Sequence, residues 1–305
     1  MHWCLDTHFY YWKVVSCGKQ ITLIFTPPKS VVMTNNLLQG KKGIIFGALD
    51  EKSIAWKTAL ACHAQGAQIV LTNAPVALRM GEINKLAEAV QAPVIGADVT
   101  NMDDLKKLFE ESQKHFNGGI DFLLHSIGMS LNVRKGKHYT EMDYEWNKKT
   151  LDISSMSLHR VLRTAWDMDA LNEWGSVVAL TYIAAQRVFP DYNEMADAKA
   201  LLESVARSFG YHYGIRKKVR VNTISQSPTR TTAGSGVKGF DAFIDYAEKM
   251  SPLGNASAEA CADYCVSLFS DLTRFVTMQN LFHDGGFSFT GVSEAVVQSI
   301  YDKAH

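Results

Sequence analysis

From Lys42 onward, short runs of β-branched and aliphatic residues alternate with longer segments of helical spacing. The runs are 43–46, 68–72, 93–97, 122–125, 176–181, 219–225 and 278–282. Between them lie 54–65, 79–90, 102–116, 144–169, 192–213 and 258–269, where apolar residues recur three or four positions apart. This alternation predicts an α/β fold, a parallel sheet with helices on both faces. Seven strands fit a single doubly wound domain. In such a sheet ligands bind in the crevice beyond the carboxyl ends of the strands, so chemistry is sought where each strand closes.

Residues 1–32 show neither period. They carry Trp3, Trp12, Cys4, Cys17, Pro27 and Pro28, three lysines and one acid, Asp6. There is no apolar core with a small-residue cleavage site, as a secretory signal needs, and no arginine, which a mitochondrial presequence uses. The segment is read as a non-core N-terminal extension, with the working domain spanning 33–305.

Composition narrows the class. The whole chain of 305 residues balances 31 basic against 31 acidic side chains, which argues against a nucleic-acid-coating protein. Beyond the extension 28 basic and 30 acidic residues remain. Apolar stretches such as 21–25 and 43–49 fall far short of the roughly 20 residues of a membrane span. Five scattered cysteines do not form a secreted disulfide framework, which points to a reducing cytoplasm.

Several strand ends carry candidate chemistry. The first runs into Gly47 and then Ser53, where a helix begins; a glycine turn and a helix amino terminus suit a phosphate, and equally make an ordinary turn and cap. The third closes at Asp98, which can accept from an adenine amino group or cap the next helix. The fourth closes at His125-Ser126-Ile127-Gly128, whose glycine allows close approach to a ribose. After the second strand, Asn73, Ala74 and Pro75 offer no base for a 2′-phosphate before Arg79, which favours NADH over NADPH. Tyr192 and Lys199 stand seven apart in a helical segment, hence on one face, and Tyr182 follows the fifth strand. A lysine ammonium beside a phenol lowers the phenol's pKa and can bridge ribose hydroxyls.

Taken together, G-x5-S-I-A at 47–55, H-S-I-G at 125–128, Tyr182 and Tyr192 with Lys199, S-x-S-P-x-R-T at 225–231 and D-G-G-F-S at 284–288 resemble the enoyl-[acyl-carrier-protein] reductases of the short-chain dehydrogenase/reductase superfamily. The resemblance covers 33–291. Ordinary superfamily members space tyrosine and lysine four apart; here the spacing is seven. It implies a Rossmann-type fold with a substrate-covering helical insertion after strand six, a homotetramer, NADH as cofactor and an acyl carrier protein as partner. It further implies that Gly47, Ser53 and Ile54 hold the pyrophosphate, that Asp98 and Val99 flank the adenine, and that Ile127 lies near the ribose. Lys199 grips the nicotinamide ribose, Thr229, Arg230, Thr231, Thr232 and Ala233 hold the nicotinamide side, and Ser130 meets the acyl substrate. Tyr192 becomes the donor to the thioester oxygen, with Tyr182 supporting it.

The chain departs from the family in places. Lys57 and Thr58 follow Trp56 where many relatives have glycine, and Gln226 and Ser227 replace Ala-Gly. After Lys238, where relatives place further bases toward the carrier, stand Asp241 and Ala242; the runs Arg134-Lys135-Lys137 and Arg216-Lys217-Lys218-Arg220 are the other candidates, and also ordinary solvated surface. Cys261 and Cys265 lack partners at ligand spacing, and no metal is expected. Two other functions suit the same fold: a short-chain reductase of ketones or ketoacyl thioesters, and a non-catalytic dinucleotide sensor.

Overall fold

The computed structural model describes residues 13–17, 20–24, 35–79, 82–232 and 239–304. The chain divides into two compact units, Met1–Thr34 and Asn35–His305. In the first, β1 (Lys13–Cys17) and β2 (Gln20–Ile24) pair antiparallel, with Lys13 opposite Ile24 and Cys17 opposite Gln20. This corrects the absence of strand signal read from the sequence. The pattern lacks alternation, but a two-residue link containing Gly18 is itself a hairpin signal.

The second unit is built on six parallel strands: β3 (Lys42–Phe46), β4 (Gln68–Thr72), β5 (Ile120–His125), β6 (Leu171–Thr181), β7 (Arg220–Gln226) and β8 (Asn280–His283), in the order β4-β3-β5-β6-β7-β8. The helices are α1 (Ile54–Ala64), α2 (Pro75–Leu78), α3 (Ile83–Val90), α4 (Met102–Phe116), α5 (Leu131–Arg134), α6 (Tyr144–Leu151), α7 (Ser157–Asp167), α8 (Glu194–Lys217), α9 (Phe240–Met250), α10 (Ala258–Phe269) and α11 (Glu294–Ala304). Strand residues alternate between two apolar layers. Ile44, Phe46, Val70, Leu123, Val177 and Val221 face one, with α4, α7 and α8. Ile45, Ile69, Leu71, Leu124, Val178 and Ile224 face the other, with α1, α3 and α10. Burial on both faces is why the strands read as continuous apolar runs.

Three expectations change. The predicted strand at 93–97 runs beside β4 with hydrogen bonds from Leu71 N to Pro93 O (3.0 Å) and from Ile95 N to Leu71 O (2.9 Å), yet forms only one bridge, Leu71 to Val94. Pro93 has no N–H to give, and the run ends within four residues. The predicted helix 144–169 is broken by a π turn, Asp152–Met156, between α6 and α7. The predicted helix 192–213 starts only at Glu194, since Tyr192 lies in a 3₁₀ turn, Pro190–Tyr192, and Asn193 follows it at φ 48°. With ψ at −141° this residue sits outside the helical wells, and its side chain accepts from Glu194 N at 2.9 Å. Beyond β7 the described chain includes α9, two residues of which are Phe240 and Phe243.

Candidate active site

The chain reverses its direction of build between β3 and β5, the topological switch point where open α/β sheets bind ligands. A cavity of about 520 Å³ lies there, lined by the turn after β3, the loop after β5, the ends of β6 and β7, the start of α8 and α9. Of the residues singled out from the sequence, Gly47, Ser53, Ile54, Ile127, Ser130, Tyr182, Tyr192, Lys199, Thr229, Thr231 and Thr232 all line it.

One end is a backbone cradle. Gly47 sits at φ 93°, and a Cβ there would lie 2.0 Å from the Ser126 carbonyl oxygen. Only glycine lets the two loops meet. Ser53 caps α1, its Oγ accepting from Trp56 N at 3.3 Å and donating to Asp50 O at 2.8 Å. Asn73, at the end of β4, donates to Ala48 O at 2.9 Å and holds the turn from the other side. Across the mouth, the Thr232 hydroxyl donates to Asp50.

At the other end Tyr182 follows β6 directly, and its ring lies 5.1 Å from that of Tyr192 and 5.5 Å from that of Phe189. Phe243 of α9 and Phe287 complete an aromatic wall. Burial pushes both phenols well above the usual 10, with Tyr192 and Asp284 adding to the effect on Tyr182. The expected lowering by Lys199 is not seen. Its ammonium is spent on carbonyls, donating to Leu180 O at 2.9 Å and Ile127 O at 3.4 Å, so it ties the end of β6 to the loop after β5. Burial lowers Lys199 from 10.5 to about 8, with Glu203 opposing. The Tyr182 hydroxyl is buried with no partner, an arrangement that a bound acceptor would relieve.

Several supporting residues carry no local signal in the sequence. Ser154 in the π turn both accepts from Met129 N (3.0 Å) and donates to Met129 O (3.1 Å), and Ser155 donates to Ala198 O at 2.5 Å. A π turn at such a place is a recurrent feature of functional sites. Glu194, fully buried, accepts from Ser130 Oγ (2.5 Å) and Thr150 Oγ1 (2.9 Å). Glu203, one turn beyond Lys199, accepts from Thr181 and Asn280, and burial raises its carboxyl. His125 bonds Ser157 at 2.8 Å; burial, then Lys199, lowers it to about 3, so the ring stays neutral. Gln226 lines the cavity and is held by His283 Nδ1 (2.7 Å) and Ala256 O (2.9 Å).

The remaining residues singled out from the sequence lie away from this lining or outside the described residues. Asp98 and Val99 do not line the cavity: Asp98 accepts from Thr100 N at 2.9 Å as a turn cap, and Val99 is buried in the core. Arg230 turns away to pair with Asp241. Ala233 lies outside the described residues. Cys261 and Cys265 are free, buried core thiols, and no cluster of three metal-ligating side chains occurs among the described residues.

A family model described as enoyl-(acyl carrier protein) reductase matches residues 47–288. The chain belongs to the enoyl-(acyl carrier protein) reductase family. Within that family, the enoyl-[acyl-carrier-protein] reductase [NADH] of Rickettsia typhi is 34% identical over 265 residues, covering 86% of this chain and 99% of that protein. Enoyl-[acyl-carrier-protein] reductase [NADH] 2 of Rhizobium meliloti is 33% identical, covering 85% and 95%. The crystal structure of the FabI–NADH complex from Alistipes finegoldii superposes with a TM-score of 0.84 at 61% identity, covering 85% of this chain and 92% of that one. Among the described residues no helix is long and apolar enough to cross a membrane.

Proposed function

We propose that this chain is an NADH-dependent enoyl-[acyl-carrier-protein] reductase of dissociated fatty-acid synthesis, reducing a trans-2-enoyl thioester to the saturated acyl thioester. The observation that carries it is one cavity running from the Gly47–Ser53 cradle to two neutral phenols. The cradle fits a dinucleotide pyrophosphate: the glycine leaves room for backbone approach, and α1 directs its free N–H groups and positive dipole end at the cavity. Ile54 and Ile127 would flank it, Lys199, whose ammonium donates to the Leu180 and Ile127 carbonyls, would use its remaining donor toward the ribose hydroxyls, and Thr229, Thr231 and Thr232 would line the nicotinamide side. Asn73, with no base beside it, suits NADH.

When bound, NADH supplies the hydride to the β-carbon. The rest falls to the protein. As the β-carbon gains the hydride, electron density moves to the thioester oxygen. Tyr192, protonated throughout the working pH range, donates a hydrogen bond to that oxygen. A donor aimed at developing charge stabilises the transition state more than the ground state. Tyr182 donates to the same oxygen or orients the thioester, and the negative charge is discharged when the α-carbon takes a proton from solvent water. Lys199 contributes a cation and fixes the loop after β5. Ser130, whose hydroxyl is held by Glu194, presents the acyl side. The aromatic wall of Phe189, Phe243 and Phe287 suits an acyl chain, with α9 covering it.

The test is oxidation of NADH with a crotonyl or longer 2-enoyl thioester, followed at 340 nm. Turnover of a ketoacyl thioester with none of an enoyl thioester would refute the proposal. Tyr192→Phe should lower turnover about 100-fold, the scale of one oxyanion donor, and leave NADH affinity nearly unchanged. The same reading places the enzyme in the cytoplasm, in keeping with free thiols at Cys62, Cys261 and Cys265, and as a homotetramer. Exposed Tyr211 and Ile215 on α8 support a packing surface, to be checked by sedimentation.

A further inference from the structure

We propose that Arg134, Lys135 and Lys137 form the landing surface for the acidic face of the acyl carrier protein, an inference that rests on the enoyl-thioester reading above. A carrier-bound substrate must thread its arm into the cavity while the carrier body stays outside, so its docking charges belong at the mouth. Arg134 lines the cavity that holds Tyr182 and Tyr192, and Lys135 and Lys137 follow it on exposed backbone. Among the described residues none of the three takes part in an ion pair. Of the acids nearby, Asp143 caps α6, Asp197 accepts from the Tyr139 hydroxyl at 3.2 Å, and exposed Asp191 shares the cavity lining with Arg134, a single acid against the three cations.

The cations are held in place relative to the chemistry. Ser130 caps α5 by accepting from Val133 N at 3.0 Å while donating to Glu194. Asn193, between Tyr192 and Glu194, donates to the Lys137 carbonyl at 2.8 Å. Asn132 and the Asp143 backbone exchange two hydrogen bonds, at 2.9 and 3.1 Å. Val133 packs against Met195 and Tyr192. A carrier seated on this rim is thus registered to the start of α8.

The other basic run of the sequence, and Arg230, are placed or paired differently. Arg216 lies 17 residues past Lys199 on α8, about 25 Å along the axis at 1.5 Å per residue, at the opposite end of the sheet from the cavity. It and Lys217 pair with Asp169 at 3.0 and 2.7 Å. Arg220 is buried and bonded to Leu268 O. Arg230 is neutralised by Asp241, and α9 begins with an acid where the family resemblance leads one to expect bases.

The test compares one enoyl group carried on acyl carrier protein, on coenzyme A and on N-acetylcysteamine. In the Lys135→Glu/Lys137→Glu variant, KM for the carrier substrate should rise about tenfold or more, within the range of electrostatic steering. The coenzyme A and N-acetylcysteamine substrates should keep their wild-type kcat/KM, which also reports intact folding. Added salt should weaken carrier turnover more in the wild type than in the variant. An unchanged carrier KM overturns the proposal. So does an equal loss with coenzyme A, which would mean that the lysines read the arm's phosphate, or an equal loss with N-acetylcysteamine, which would place them in the pocket itself. Failure of the wild type to reduce any of the three would instead refute the enoyl-reductase reading.

Discussion

Replacing Tyr182 by phenylalanine should make the ligand-free protein more stable and the enzyme slower. The ring is packed among Phe189, Tyr192 and Phe243, with centroids 5.5, 5.1 and 6.3 Å away, and phenylalanine keeps all of that. Only the hydroxyl is lost, and it is buried with no partner. An unsatisfied buried hydroxyl costs about 1–3 kcal/mol. Part of the gain is returned as lost contacts around the vacated oxygen, which leaves a net stabilisation of about 1 kcal/mol. For a domain of this size that raises Tm by about 2 °C. Turnover of an enoyl thioester should fall about 10- to 100-fold, at or below the scale of one oxyanion donor. Scanning calorimetry without cofactor and NADH oxidation with substrate give the two readouts. A drop in Tm refutes the claim that the hydroxyl is unsatisfied in the free protein. Full activity with a raised Tm refutes its role toward the substrate.

The remaining predictions follow the same logic. Gly47→Ala forces a Cβ within 2.0 Å of the Ser126 carbonyl at a φ of 93°, and the strain of about 1–3 kcal/mol should lower Tm and weaken NADH binding by calorimetric titration; unchanged values of both would refute the cradle. Folding lowers Lys199 to about 8, whereas an unfolded lysine titrates near 10.5. Between those values the unfolded chain binds the extra proton, so this residue makes stability rise with pH. Lys199→Met should lose that rise in urea unfolding at pH 8 and 9.5, and a variant with the wild-type pH dependence would contradict it. Deleting residues 1–34, the smaller unit, should leave circular dichroism and enoyl turnover intact, and loss of either would show that the extension belongs to the working domain.

How much of this was legible beforehand depends on the range of the interaction. α4 and α10 lie at the predicted 102–116 and 258–269 because a 3.6-residue period with a capping Asn101 or Ser257 is a local property. The π turn at Asp152–Met156 was hidden, since one extra residue hardly disturbs an apolar period of three or four. The same period puts Tyr192 on the helix. Its real position depends on Asn193, whose backbone at φ 48° and ψ −141° interrupts the helix and is revealed by no periodicity.

The sequence by itself determined the α/β class, the strand ends at which chemistry would lie, and the residue set of Gly47, Ser53, Tyr182, Tyr192 and Lys199, because these rest on patterning and motif spacing along the chain. Only the tertiary structure decided what those residues meet. It set Lys199 on two carbonyls rather than on a phenol, turned Arg230 to Asp241, kept Asp98 outside the cavity, and buried Glu194 behind Ser130. The physical reason is that a pKa, an ion pair or a desolvated hydroxyl is fixed by groups tens of residues apart that the parallel sheet brings side by side, and by how completely water is excluded from between them.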